Sequence, residues 1–203
     1  SGSGGVTIAD MIDDLEDGDS SILANGGRIG AWYTYNDETE GGVQSPASTG
    51  EFAPTDGGPS GSSYSAQTAG SGFVEWGAGM GFDLNNKGDG KGGAGIKEKH
   101  DGSKHTGIAF YAKGTTPVRF KLLTTGVTPT AEGGTCEMEC SDAHGKVVAL
   151  SSDWNQYVIP FSDMYQEGWG TAADFDASAL VGIQFQVAKA TDFDFEIDQI
   201  GFY

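Results

Sequence analysis

The chain is poor in positive charge. It has 11 Lys and Arg against 29 Asp and Glu, a formal charge of −18 over 203 residues. Nucleic-acid binding needs the opposite sign, and anionic lipid surfaces repel such a chain, so DNA, RNA and membrane surfaces are excluded as partners. Neutral partners and divalent cations remain. No run of about 18 apolar residues occurs, so no helical segment is expected to insert in a membrane. The opening "SGSGGV" has neither the basic nor the apolar region of a signal peptide. Residues 1–5 read as a linker or expression remnant, and residues 6–203 as one domain.

Cysteine is nearly missing. Cys136 and Cys140, in "TCEMEC", are the only two, and their spacing is not the CxxC of a redox or zinc motif. A bridge across so short a loop would contribute only about 2 kcal/mol in the chain-entropy model, which suits pinning a surface loop, and it would imply an oxidising compartment. Catalytic signatures are missing as well. His100, His105 and His144 show no HExxH spacing and no GxSxG lies near them. His100 and His105 fall in a long polar segment and read as solvated. A carboxylate pair for glycoside hydrolysis remains open, because 29 acids allow many pairs and none stands out.

Glycine, in contrast, is abundant at 34 residues, while aromatic residues make up 11%. Short apolar alternations separated by Gly, Pro, Ser and Asn clusters predict an all-β sandwich of about nine strands. The candidates are "MIDDLED", "IGAWYTYN", "GFVEWGAGMGFDL", "TGIAFYAKG", "PVRFKLLTT", "KVVALSS", "NQYVIPF", "VGIQFQVAK" and "FDFEIDQIGFY". In these, Val118, Phe120 and Leu122 point inward and Arg119 and Lys121 are exposed. Likewise Ile183, Phe185 and Val187 point inward and Gln184 and Gln186 outward. Two stretches, 36–72 and 85–105, read as long loops. The segment around "QEGWGT" reads as loop with one short helical turn.

The last strand places Phe193, Phe195 and Ile197 on one face and Asp192, Asp194, Glu196 and Asp198 on the other. The alternation then slips by one, with Ile200 and Phe202 resuming it. Such a slip predicts a bulge, which re-aims a side chain. If first and last strands are neighbours, Glu16 of "IDDLEDGDS" and Asp198 could converge on an all-oxygen site suited to structural Ca²⁺. A solvated acidic face is the alternative. Asp83, Asn85 and Asp89 resemble half of a calcium loop without its closing glutamate, and read as a flexible loop.

Sugars stack flat C–H faces on Trp and Tyr and need polar partners for their hydroxyls. Trp32, Tyr33 and Tyr35 lie so close in sequence that both strand faces carry a ring. Trp169 sits between glycines in a loop, whereas Trp76 and Trp154 read as core or edge packing.

Taken in order, "IDDLEDGD", "GIAFYAKG", "VRFKL", "LSSDWNQYVIPFSDM" and "LVGIQFQV" with "FDFEIDQIGFY" resemble a carbohydrate-binding module of family 11. They are similar as well to the complex I intermediate-associated protein domain. The resemblance implies a galactose-binding-like jelly-roll with a concave face that binds one polysaccharide chain, and calcium where first and last strands meet. By position it implies stacking by Tyr35 and Trp169, with Tyr33 nearby, and polar contacts from Asp142, His144, Gln184 and Gln186. Glu75 and Val187 stand about where the family has aromatics, so its β-glucan preference is not simply inherited. The expectation is a secreted or cell-surface, monomeric, non-catalytic module for a β-glucan or related polysaccharide, with a tethered glycoside hydrolase domain as a partner. A jelly-roll hydrolase or lyase, or an adhesion module, is the alternative.

Overall fold

In a computed structural model, described here for residues 5–88 and 95–203, twelve strands form two antiparallel sheets. In chain order they are β1 (Asp10–Asp13), β2 (Trp32–Asn36), β3 (Val43–Ser45), β4 (Thr55–Asp56), β5 (Tyr64–Ser71) and β6 (Ala78–Asp83). There follow β7 (Gly107–Gly114), β8 (Val118–Thr124), β9 (His144–Val148), β10 (Asn155–Pro160), β11 (Leu180–Val187) and β12 (Phe193–Phe202). Short 3₁₀ turns lie at Phe161–Asp163 and Ala177–Ala179, within the stretch that holds "QEGWGT". Among the described residues no helix is long and apolar enough to cross a membrane.

One sheet runs β10-β7-β12-β5-β3, with β1 paired to β12 and β4 to β5; the other runs β2-β6-β11-β8-β9. Alternate residues of both sheets fill one shared core, in which Phe82, Phe110, Phe120, Phe185, Phe195 and Phe202 are fully buried and Trp32 nearly so. Phe110 meets Phe120 and Phe185 from the opposite sheet with centroids 5.7 and 5.0 Å apart. Such ring contacts stabilise by about 0.5–1.5 kcal/mol each beyond the area they bury.

The strand count exceeds the nine expected because the stretch 36–72 is not a loop. It contributes β3, β4 and β5, and β5 pairs along β12 from Phe193↔Gly70 to Ile197↔Ala66. Its sequence, "YSAQTAGS", lacks β-branched bulk, yet Ser65, Ala66 and Thr68 are fully buried by their neighbours. Tertiary packing overrides a weak strand propensity here. Asp89, the last member of the half calcium loop, lies outside the described residues. Asp83 instead faces Lys97 at 3.6 Å and accepts a hydrogen bond from Asn86.

The terminal strands do pair: Asp10 faces Phe202, Met11 faces Gly201 and Asp13 faces Ile200. The slip in β12 is present, since the register with β7 shifts between Asp198 and Gly201 and Gln199 has a positive φ of 47°. His100 and His105 are not solvated. Both rings stack on Phe202, at 5.7 and 4.8 Å, and burial lowers both pKa values.

Candidate functional site

The outer face of the five-stranded sheet carries an open cleft of about 870 Å³. Its floor comes from every second residue of four strands. Tyr33 and Tyr35 of β2 lie across from Gly81 and Gly79 of β6, and Gln184 and Gln186 of β11 face Lys121 and Arg119 of β8. The two glycines make the trough. A Cβ at Gly79 would lie 2.7 Å from the Tyr35 hydroxyl, so the tyrosine ring rests directly on bare backbone.

Tyr35, Glu75, Trp169, Gln184 and Gln186 all line this cleft, together with Trp76, Arg119, Lys121, Val147 and Glu167. Tyr33 sits just behind, accepting a hydrogen bond from the Gln184 amide at 3.0 Å, with its ring 6.1 Å from that of Tyr35. Burial pushes the Tyr33 hydroxyl well above the usual phenol range.

Two residues expected to touch sugar point elsewhere. His144 lies across from Leu122, on the core side of its strand, and packs edge-on against Phe175 at 5.4 Å. Burial lowers its pKa. The cleft side of β9 belongs to Gly145 and Val147. Asp142 is only 2% exposed, and its carboxylate accepts the backbone N–H groups of Glu167, Gly168 and Gly170 at 3.0, 2.8 and 3.2 Å. Burial raises its pKa, but those N–H groups outweigh burial and hold it below the usual range. Asp142 therefore fixes the loop bearing Trp169 and does not reach into the cleft.

The bridge between Cys136 and Cys140 belongs to the same construction. Within its loop the carbonyls of Met138 and Glu139 accept from the Thr171 hydroxyl and N–H at 2.6 and 2.9 Å. Trp169, 55% exposed, is thus presented on a loop tied both to the disulfide and to Asp142.

The opposite lip repeats this device. Asp37, next to the end of β2, accepts N–H bonds from Glu75, Trp76 and Gly77 at 2.9, 2.9 and 2.8 Å, and a bond from the Thr39 hydroxyl at 2.6 Å. Burial opposes its ionisation, yet the Thr39 hydroxyl and the N–H groups win and hold it far below the ordinary carboxylate range. Trp76 is 46% exposed and stacks on Tyr35. It is not a core or edge residue, and the exposed platform on this lip is Trp76 supported by Tyr35. The glycine immediately before an apolar strand was the available signal: "EWGAGMGF" places Trp76 outside β6, in the approach to it.

Arg119 and Lys121 point outward as alternation predicts but are not exposed; each is 8% accessible, sunk in the floor. Arg119 donates to the Tyr165 carbonyl at 2.6 Å, lies over the Tyr165 ring, and has Glu167 at 3.5 Å from Nε. Lys121 donates to Gln186 Oε1 at 3.1 Å. Burial, then the neighbouring Arg119, lowers its pKa to about 8.

Glu16 and Asp198 converge on the other sheet. One hydroxyl, that of Ser62, lies 2.8 Å from Glu16 Oε1 and 2.6 Å from Asp198 Oδ2. A hydroxyl has one proton and cannot donate to both carboxylates at once. Asp198 is fully buried, and burial, with smaller contributions from Glu16 and Asp14, pushes its pKa up to about 7. Gly58 crowds the same oxygen: a Cβ there would fall 2.8 Å from Asp198 Oδ2. The donor set is all oxygen, as Ca²⁺ prefers. Among the described residues no group of three or more His, Cys, Asp or Glu converges, so further ligands would be carbonyl or hydroxyl oxygens.

No family model matches the chain. It is 29% identical over 186 residues to Endoglucanase 3 of Fibrobacter succinogenes, an alignment covering 88% of this chain and 24% of that protein. The chain therefore spans about a quarter of that relative's length. Its fold is that of a family 11 carbohydrate-binding module from Clostridium thermocellum, solved with a β-1,3-1,4-mixed-linked tetrasaccharide. The TM-score is 0.62 and the identity 18%, over 98% of this chain and 96% of that one. A family 30 carbohydrate-binding module of a cellulosomal cellulase from the same organism matches with a TM-score of 0.56 and 16% identity, over 94% of each chain. These matches establish the jelly-roll sandwich.

Proposed function

We propose that this chain is a non-catalytic polysaccharide-binding module, for a β-glucan or related plant or microbial polysaccharide, that holds a secreted enzyme or a cell surface on its substrate. One observation carries the reading: an open cleft across the five-stranded sheet, with indole rings at both lips and amides between them. The endoglucanase relative supports a tethered hydrolase and an extracellular setting. The tetrasaccharide in the family 11 neighbour supports a chain lying along the equivalent sheet. Stacking contributes about 0.5–1.5 kcal/mol per ring by analogy with aromatic pairs, so isolated affinity falls between about micromolar and millimolar.

Affinity electrophoresis against plant, algal and microbial polysaccharides tests this. Retardation on at least one glycan, weakened by Trp169→Ala, is expected. Release of reducing ends from any of them would replace the reading with an enzymatic one, and no retardation on any would end it.

We further propose structural Ca²⁺ at Glu16 and Asp198. The Ser62 hydroxyl shared between Glu16 and the buried Asp198 supports it, because a divalent cation would offset the repulsion between the carboxylates. Chelator should lower the Tm of the wild type, and Asp198→Asn should abolish that response. An unchanged wild-type Tm would remove calcium from the account.

A further inference from the structure

The cleft floor carries an unneutralised cation. Lys121 is more than nine-tenths buried, and its cross-strand neighbours are Gln184 on β11 and Gly145 on β9, both neutral. Among the described residues its one hydrogen bond goes to the Gln186 amide, which uses one of three ammonium donors. Among the described residues no carboxylate lies within ion-pair distance of it, although the chain has 29 acids to choose from. Arg119, two residues along the same strand face, is flanked by Gln186 and Val147. Its single acidic neighbour, Glu167, is half-exposed and 3.5 Å away, and Nε and Nη1 make no hydrogen bond. The floor therefore holds two buried cations against one half-exposed carboxylate, Glu167, and burying a charge with little compensation is costly.

We infer that Lys121, backed by Arg119, binds an anionic substituent on the glycan, so that the cleft prefers a sparsely charged acidic polysaccharide to its neutral counterpart. This rests on the polysaccharide-binding reading above. The acceptor is a carboxylate or a sulfate, since an ammonium acts as a point charge toward either. Sparse charge follows from the rim. Glu75 and Glu167 also line the cleft, so a polymer charged on every residue would meet like charge beside the floor. Buried Asp142 also acts on Lys121 from behind the Trp169 loop, while the exposed carboxylates of this −18 chain act weakly there, because exposed charges beyond about 8 Å are screened at physiological salt.

The experiment measures binding of the 203-residue chain to four materials: glucuronoxylan, the same polymer after carboxyl reduction, a lightly sulfated galactan, and its desulfated form. A neutral mixed-linked β-glucan and polygalacturonate, charged on every residue, serve as references. The expected result is about tenfold tighter binding to one acidic form than to its neutralised partner, the size of one good charge-assisted contact. Which pair shows the difference identifies carboxylate or sulfate. Lys121→Met and the milder Lys121→Gln should erase the difference between each acidic form and its neutralised partner, whatever they do to the affinity for the neutral form, and Trp169→Ala should weaken both forms alike. Equal binding within both pairs, or a preference that survives both Lys121 variants, overturns the inference while leaving the polysaccharide module standing. Tightest binding to polygalacturonate overturns the sparse-charge requirement. No binding to any material overturns both readings.

Discussion

The indole of Trp76 lies on the phenol of Tyr35, with centroids 5.9 Å apart and planes 26° from parallel. The tyrosine hydroxyl is buried and has no hydrogen-bond partner, so the ring supports its neighbour through its face alone. Tyr35→Phe should leave glycan affinity unchanged and preserve or slightly raise the Tm. Tyr35→Ala and Trp76→Ala should each weaken binding by about two- to tenfold, the range of one ring contact. Titration calorimetry distinguishes these outcomes. A large loss in Tyr35→Phe would show that the hydroxyl, not the ring, is what matters.

Asp37 acts on the cleft through the Glu75–Gly77 turn that presents Trp76. Asp37→Ala frees four N–H groups, those of Thr39, Glu75, Trp76 and Gly77, and should weaken glycan binding by as much as Trp76→Ala does. In the Trp76→Ala background the same change should have almost no further effect on affinity, while still lowering Tm. A double-mutant cycle reads the coupling directly. Additive losses would assign Asp37 a role other than holding that loop.

The disulfide should matter more for binding than for stability. Replacing Cys136 and Cys140 by Ser removes about 2 kcal/mol at most by the chain-entropy formula. It also loosens the carbonyls of Met138 and Glu139 that hold Thr171 beside Trp169. The expected outcome is a Tm lowered by a few degrees together with several-fold weaker retention on glycan in affinity electrophoresis. Unchanged retention would detach the bridge from the site.

Asp13 gives the chain an acid-side dependence of stability. It is fully buried and accepts a hydrogen bond from Trp32 Nε1 at 2.7 Å. Burial raises its pKa to about 6 despite that bond and one from the Leu15 N–H. Its folded-state pKa lies above the unfolded value, so its contribution is fully present below about pH 4 and is lost as pH rises through about 6. Asp13→Asn should therefore gain about 1–3 kcal/mol relative to wild type between pH 4 and pH 7.5. Chemical denaturation at the two pH values measures it, and a constant difference would refute the assignment.

Much of the sandwich was legible in the sequence because its strands carry strict alternation around large apolar residues. Phe193, Phe195 and Ile197 sit as their spacing requires, and the skipped beat before Ile200 marked the bulge correctly. β5 was not legible, since a strand of Ser, Ala, Gln, Thr and Gly has no hydrophobic period to read. At the cleft, the outward positions Gln184 and Gln186 followed from alternation, and Trp169 from its glycine neighbours. His144 was misplaced because proximity in sequence to a binding loop says nothing about which strand face a residue takes. Asp142 was misread because a carboxylate that gathers N–H groups looks, in sequence, like one that would contact a hydroxyl. The burial of Arg119 and Lys121 depended on the height of the lips around them, and no local pattern encodes that.

Asp37 and Asp142 have a consequence for how a ligand would be received. Each clasps three amides of an indole-bearing turn, so both turns are ordered in advance and little conformational entropy is left to lose on association. Capture should then be a docking event with fast on- and off-rates and little backbone rearrangement, suited to a surface that slides along a fibre and does not lock onto it.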